Sequence, residues 1–190
     1  MSRLPFLSRH ALSDAGQALW DGIVETRGAA ATNEAGGLIG PFNPWVTAPG
    51  VGARLSELGA TLRFKTSIDR RLLEVAIITT GAHWKAEFEW WAHSRMAREH
   101  GVSEAVIDAI ARGDTPEFDR EDERIVYGIA SQLSTTGTFD AATFSAGRDL
   151  LGDEGMVELV SLCGYYVLVS FTLNAFAVGL PPGAEPVFTD

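Results

Sequence analysis

The sequence has a single cysteine, Cys163, among its 190 residues. One thiol can form neither an intramolecular disulfide nor a Cys-x-x-Cys redox pair. This shortage excludes a small secreted scaffold held by disulfides and an enzyme that works through an internal dithiol. A reducing, cytoplasmic setting is the one in which such a chain is expected.

Basic residues are also scarce. Fifteen Lys and Arg stand against 25 Asp and Glu, so the formal net charge is −10. Proteins that bind nucleic acid or anionic lipid need a basic surface, and we therefore expect no nucleic-acid partner and no membrane partner. The first 16 residues lack the continuous apolar segment of a signal peptide, which again favours a cytoplasmic protein.

A β-strand pattern is missing as well. The chain shows no alternating apolar and polar run with hairpin turns, and no repeat of solenoid period. It is nevertheless 46% hydrophobic, with a mean hydropathy of +0.06, and can bury a sizeable core. Its apolar residues recur at helical spacing and predict an all-α fold of about seven or eight helices. The predicted helices cover about residues 10–26, 51–64, 68–80, 84–99, 103–111, 119–132, 141–151 and 154–178.

These helices predict three regions: an N-terminal arm and helix over 1–37, a helical domain over 38–180 and a tail over 181–190. Residues 28–50 are rich in Gly, Ala and Pro but too apolar for a plain linker. We expect an ordered loop there, which either lines a pocket or only covers the core. The last helix is long enough to span a bilayer, but its internal Glu158 and Asn174 favour a helix buried in the core or between subunits.

Ionisable and aromatic side chains are concentrated between Glu74 and His93. Glu89 and His93 are four residues apart and share one helix face. Glu74 lies in an apolar run of the preceding helix, where a carboxylate is costly unless it is paired. If the two helices fold back at Gly81, Glu74 can meet His93. Such a pair would orient the imidazole for proton transfer near pH 7, with Glu89 as a second acid.

Simpler interpretations of the same residues stay open. A Glu and a His four apart more often form a surface pair, and the neighbouring aromatic residues could belong to the core alone. Glu74, Glu89 and His93 could also bind a metal, but the chain has no Glu-x-x-His pair of the di-iron kind and no His-Glu-x-x-His motif. We therefore expect no metal at these residues.

The stretch resembles the carboxymuconolactone decarboxylase family, which shares the alkylhydroperoxidase-D-like all-α fold. In the peroxidase branch, a Glu is followed twelve residues on by Cys-x-x-Cys, and a His comes four residues after the second Cys. Here Glu74 and His93 match the Glu and the His, while Ala86 and Glu89 stand at the cysteine positions. The segment 87–93, EFEWWAH, is similar to the Glu-Tyr-Glu-Trp-x-x-His of the branch without cysteines.

The resemblance covers about residues 38–180. It includes Gly-Pro-Phe-Asn at 40–43, Ala-Arg-Leu-Ser-Glu-Leu-Gly at 53–59 and Leu-Asn-Ala-Phe at 173–176. It implies a homotrimer or homohexamer with the site near a subunit interface, and a decarboxylation of a lactone acid that needs no cofactor.

The resemblance also implies roles for single residues. His93 would be the proton donor, Glu74 would orient it, and Glu89 would be a second acid or base. The candidate substrate-binding residues are Asn43, Trp45, His83 and Trp84. One departure stands out, since a polycarboxylate substrate calls for cations and only Lys85 and Arg95 lie close in sequence.

Three functions follow from these observations. The favoured one is acid/base lyase chemistry on a small organic acid or lactone. A thiol peroxidase is disfavoured because Ala86 and Glu89 cannot form a disulfide. The third is a ligand-binding oligomer without catalytic activity.

Overall fold

The computed structural model describes residues 2–28, 31–34 and 36–188. Over these residues it contains eight α-helices and no strand, apart from two isolated β-bridges. The predicted all-α fold is confirmed. The helices are α1 (Asp14–Arg27), α2 (Phe42–Thr47), α3 (Pro49–Phe64), α4 (Arg70–His83), α5 (Glu87–Glu99), α6 (Glu104–Arg112), α7 (Glu121–Thr136) and α8 (Ala141–Ala175).

Helix α4 is the centre of the molecule and packs against α5, α7 and α8. Every residue from Leu72 to Gly81 is buried, as expected for a helix that is apolar on all sides. Glu74 is part of this run and therefore lies in the core rather than at the surface.

The connection between α4 and α5 differs in one respect from the sequence-based expectation. Gly81 was predicted to end the first helix, but α4 continues to His83. The helix ends in a Schellman motif, in which the N–H of Ala86 donates to the carbonyl of Gly81 (2.9 Å) and Lys85 adopts a left-handed conformation with φ 49°. The turn therefore comes four residues later than predicted. Helix α5 still folds back along α4, as predicted.

The segment predicted as a long loop contains regular structure. Residues 42–47 form α2, and α3 already begins at Pro49. Trp45 and Val46 of α2 are buried. With α1, this segment encloses a second, smaller hydrophobic cluster, made of Leu12, Ile23, Ala31, Leu38 and Val46. Six residues lie outside the described ones: residue 1 of the arm, residues 29, 30 and 35 of the predicted loop, and residues 189 and 190 of the predicted tail.

Helix α8 contains the predicted break near residue 152. Gly152 has φ 72° and ψ 178°, a conformation outside the helical region. By length and composition alone α8 could cross a membrane, but half of its most apolar window is buried inside the protein. Its buried face packs on α4 and α7, whereas Val157 and Phe171 on another face are exposed.

Candidate functional site

The site is centred on the imidazole of His93, which lies between two carboxylates. Nδ1 of His93 donates to Oε2 of Glu74 at 2.6 Å, and Nε2 lies 3.0 Å from Oε1 of Glu89. Glu74 is fully buried, and His93 and Glu89 are at most 5% exposed. The structure thus brings together the three residues that the sequence nominated for catalysis.

Each of the three is positioned by its helix. Glu89 and His93 lie one turn apart on α5, so their side chains project from the same face. Glu74 faces them from α4, which lies alongside α5 after the Schellman turn. A contact between side chains so distant in sequence depends on that turn.

Arg70 is a further member of the site that sequence reasoning missed. Its Nη2 lies 2.8 Å from Oε1 of Glu74 in an ion pair that is not aligned as a hydrogen bond. Its Nη1 donates to the carbonyl of Arg63 at 2.6 Å. Arg70 and Glu74 are spaced i, i+4 on α4, a signal that could have suggested the pair. The two oxygens of Glu74 thus face two different positive groups.

Tyr166 of α8 completes the surroundings of the imidazole. Its hydroxyl lies 3.3 Å from Nε2 of His93, and the two rings meet edge to face at 5.1 Å. Sequence reasoning missed this residue. A buried hydroxyl in an apolar helix needs a hydrogen-bond partner, but helical spacing does not say which residue of another helix supplies it.

The charges of this cluster follow from its burial and its pairing. Burial disfavours the carboxylate of Glu74, but His93 and Arg70 outweigh it, and the pKa of Glu74 is lowered from 4.5. Burial likewise disfavours the imidazolium, but Glu74 and Glu89 outweigh it, and the pKa of His93 is raised from 6.5. The pairing therefore favours the ionised carboxylate of Glu74 and the charged imidazolium of His93.

The hydroxyl of Tyr166 stays protonated at neutral pH. Burial, together with the nearby carboxylates of Glu89 and Glu74, raises the pKa of Tyr166 well above 10. Tyr166 can therefore donate a hydrogen bond to Nε2 whenever His93 is neutral. A hydrogen-bond donor is thus present at this position in both protonation states: Nε2–H when the imidazole is charged, and the hydroxyl of Tyr166 when it is neutral.

His93 and Glu89 open onto a cavity of about 360 Å³. This volume is at the small end of the range for small-molecule sites, roughly 300–1,000 Å³. Its wall is mostly apolar and aromatic, and two arginines, Arg27 and Arg63, also line it. The apolar and aromatic lining residues include Ile39, Phe42, Trp45, Phe88, Trp91 and Val169.

The four predicted substrate-binding residues do not share this cavity. Trp45 lines it, whereas Asn43 is buried beside it and donates from its amide to the carbonyl of Pro5 at 3.1 Å. His83 and Trp84 lie at the end of α4, outside the lining of the cavity, and His83 faces a different depression. Of the four residues, Trp45 is thus the one that the structure places in the same cavity as His93.

Cys163 does not take part in the site. It is 3% exposed and is not among the residues that line the cavity. Burial raises the pKa of its thiol to about 12. Within the part of the chain that the structure describes, no group of three or more His, Cys, Asp or Glu side chains is arranged to hold a metal ion.

Solved structures with the same fold support the architecture. One is described as an alkylhydroperoxidase AhpD core, an uncharacterized peroxidase-related protein from Ralstonia eutropha JMP134. It has a TM-score of 0.75 and 15% identity, over 95% of this chain and 93% of that one. A second is a protein of unknown function from Agrobacterium tumefaciens whose name suggests the antioxidant defence protein AhpD. It has a TM-score of 0.62 and 17% identity, over 73% of this chain and 96% of that one.

At these identities the similarity establishes the fold. The protein has an alkylhydroperoxidase-D-like fold, and the resemblance predicted from the sequence is confirmed at that level. No protein-family model and no curated protein sequence matches the chain.

Proposed function

We propose that the protein is a cofactor-independent acid/base enzyme, similar to the carboxymuconolactone decarboxylases, that acts on a small organic acid or lactone. One observation carries this proposal: the buried imidazole of His93 is held between Glu74 and Glu89 at the wall of a small aromatic cavity. A proton donor in a site that excludes water is what such a reaction requires.

In the proposed reaction, the bond between a carboxylate and its neighbouring carbon breaks and CO₂ leaves. The electron pair stays on the carbon, conjugated with a carbonyl group of the substrate. Nε2–H of the His93 imidazolium then donates its proton to that carbon, and His93 becomes neutral. Solvent returns the proton after the product leaves.

The surrounding residues have distinct parts in this scheme. Glu74 accepts from Nδ1–H, fixes the orientation of the ring and stabilises the imidazolium until the proton is transferred. Arg70 keeps Glu74 ionised, so that Glu74 does not itself take up the proton of Nδ1. Glu89 and Tyr166 contact Nε2, where the substrate would be protonated, and can hold a proton there between steps.

The names of the similar structures raise peroxidase chemistry as the alternative. A thiol peroxidase needs an accessible thiolate. In this chain Ala86 and Glu89 occupy the positions of the two cysteines, and Cys163 is buried with a raised pKa. These observations favour the acid/base reaction over thiol-based peroxide reduction.

The experiment is a turnover assay with a panel of small lactone acids and keto acids, followed by release of CO₂. We expect Glu74→Gln and His93→Ala each to lower turnover by about 10²-fold or more, the scale of lost general acid/base catalysis. The control is Glu57→Gln, which changes a carboxylate that is 74% exposed on α3. Turnover that survives both site variants would contradict the proposal, and so would hydroperoxide reduction that Cys163→Ala abolishes.

We also propose that the chain forms a homotrimer or homohexamer through α8. Val157, Val160, Leu168 and Phe171 recur at helical spacing on this helix and are between 38% and 68% exposed. Contiguous exposed apolar surface of this kind typically marks an interface between subunits. The cytoplasmic location stays a prediction from the composition.

A further inference from the structure

Two arginines from distant parts of the chain line the same cavity as His93. Arg27 is the last residue of α1, and Arg63 is the next-to-last residue of α3. Neither is near the motif of residues 74–93 in sequence, so the motif does not reveal them. Their convergence supplies the cationic groups that are missing next to the motif.

Neither arginine has an acidic partner among the described residues. Most other arginines pair with carboxylates, for example Arg71 with Asp122 at 2.6 Å and Arg98 with Glu104 at 2.6 Å. Of the residues that the structure describes, none forms an ion pair with Arg27 or Arg63. In a chain with a net charge of −10, two arginines at one cavity that form no ion pair with a described residue are unusual.

The contacts that these arginines do make are weak for a guanidinium. Nη2 of Arg63 lies 3.3 Å from the thioether sulfur of Met96, a poor acceptor, and Nε of Arg63 is buried without a hydrogen-bond partner. The central carbon of the Arg27 guanidinium lies over the ring of Phe42, 4.6 Å from its centroid, and no described residue accepts a hydrogen bond from this group. A buried donor such as Nε of Arg63 is costly unless an acceptor reaches it.

Electrostatics point the same way. Burial and the neighbouring charge of Arg63 lower the pKa of Arg27. The two side chains therefore repel each other across the cavity, and an anion between them would relieve this repulsion. The carboxylate of Glu89 lines the same cavity, but it is held by Nε2 of His93.

The rest of the wall restricts what that anion can be. Aromatic and aliphatic side chains form most of the lining, with Trp45, Phe88 and Trp91 among them. A small inorganic anion would leave this surface in contact with water, whereas a ligand with an apolar or aromatic body would cover it. Planar bidentate binding by guanidinium groups suits a carboxylate.

From these observations we propose that Arg27 and Arg63 form an anion-binding subsite, and that the ligand of the cavity is a small carboxylate with an apolar or aromatic body. The subsite anchors the carboxylate and turns the rest of the molecule toward His93 and Glu89. The proposal rests on the proposed function only in that it concerns the same cavity. It makes α1, outside the region that resembles the family, a part of the binding site.

Binding can be measured without any turnover. Trp45 and Trp91 line the cavity, so tryptophan fluorescence can follow the titration. Calorimetry gives an independent measurement of the same binding. The probes are benzoate, phenylacetate and cinnamate, each compared with its uncharged amide, and inorganic phosphate as an anion without an apolar body. We expect each carboxylate that binds to do so at least about 10-fold more tightly than its amide. We expect phosphate to bind more weakly than these carboxylates.

Variants then assign the preference to the two arginines. We expect Arg27→Gln and Arg63→Gln each to weaken carboxylate binding by about 10- to 100-fold and to leave amide binding nearly unchanged. Arg54→Gln is the matched control, because it removes the same charge from an 84% exposed position of α3. The comparison of acid with amide in the unchanged protein does not depend on whether a variant folds.

Several results would overturn the proposal. They are a panel in which no carboxylate binds more tightly than its amide, a preference that survives both substitutions, and phosphate that binds as tightly as the carboxylates. Failure of the proposed function has a different appearance. A protein that prefers carboxylates through Arg27 and Arg63 but releases no CO₂ would contradict the acid/base reaction and leave the subsite standing.

Discussion

The carboxylate of Glu74 is fully buried. The free-energy cost of burying this charge is offset because one oxygen faces the His93 imidazole and the other faces Arg70. A buried ion pair contributes little net stability, but it is strongly destabilising when one partner is removed. Such a group is therefore better explained by what it does to His93 than by the stability of the fold.

Glu74→Gln tests this interpretation through stability. The substitution keeps the shape of the side chain but removes the carboxylate charge that faces both His93 and Arg70. We expect the free energy of unfolding at neutral pH to fall by about 3 kcal/mol, measured by urea denaturation. Glu57→Gln, at an exposed ion pair of α3, should cost less than about 1 kcal/mol. Equal effects of the two substitutions would show that Glu74 is not paired as described.

The raised pKa of His93 predicts a pH dependence of definite sign. The charged imidazolium is favoured in the folded state, so its contribution to stability is complete below the unfolded value of 6.5 and is lost as pH rises through the folded pKa. We therefore expect the difference in unfolding free energy between the unchanged protein and His93→Gln to shrink from about pH 6 to about pH 9. A difference that grows over this range would mean that His93 is buried in its neutral form.

How much of the site could be predicted depended on where each residue lies in sequence. The sequence predicted Glu74 because a carboxylate in an apolar run is conspicuous. It predicted Glu89 and His93 because an i, i+4 pair must share a helix face. Tyr166, Arg27 and Arg63 were not, because they come from three other helices and no local pattern connects them with His93.

At the scale of the elements, the helices follow from apolar spacing and from the residues that end them. Gly152 stops the regular helix within α8 because its φ of 72° and ψ of 178° are open almost only to glycine. The short helix α2 was missed because six residues that include a proline give no periodic signal. The extension of α4 past Gly81 was missed because a glycine inside a helix cannot be distinguished from one that ends it without seeing the Schellman hydrogen bonds.

Gly152→Ala tests the break in α8. A side chain at this φ and ψ is strained, so we expect the free energy of unfolding to fall by about 1–3 kcal/mol. Gly128→Ala is the control, since Gly128 lies inside α7 with open space around it. That substitution should be neutral or stabilising by up to about 1 kcal/mol. Both variants can be compared by urea denaturation, and equal behaviour would mean that residue 152 does not adopt this conformation.

At the scale of the whole molecule, the fold and its general class could be predicted from the sequence, whereas the assembly of the cavity could not. The N-terminal helix of the predicted region 1–37 packs on α2 and α3 and places Arg27 in the wall of the cavity. The convergence of α1, α3 and α5 on one cavity depends on the packing of the entire chain, and that packing has no signature in any one segment.

The exposed apolar face of α8 leads to a prediction about assembly. If copies of the chain associate through this face, Val157→Glu and Leu168→Glu should shift the mass measured by size-exclusion chromatography with light scattering to that of the monomer. Val51→Glu is the control, because Val51 is an exposed apolar residue (62%) that lies on α3. A monomeric unchanged protein, or an oligomer that survives both substitutions on α8, would contradict the proposed interface.

The central claim is that His93 is a buried imidazolium held by Glu74 and ready to donate a proton. The most direct measurement is an NMR titration of the His93 ring nitrogens in the unchanged protein and in Glu74→Gln. We predict a pKa above 6.5 for His93 in the unchanged protein and a lower pKa in the variant, because the substitution removes a counterion that favours the charged ring. A pKa of His93 at or below 6.5, or one that does not change in Glu74→Gln, would contradict the account.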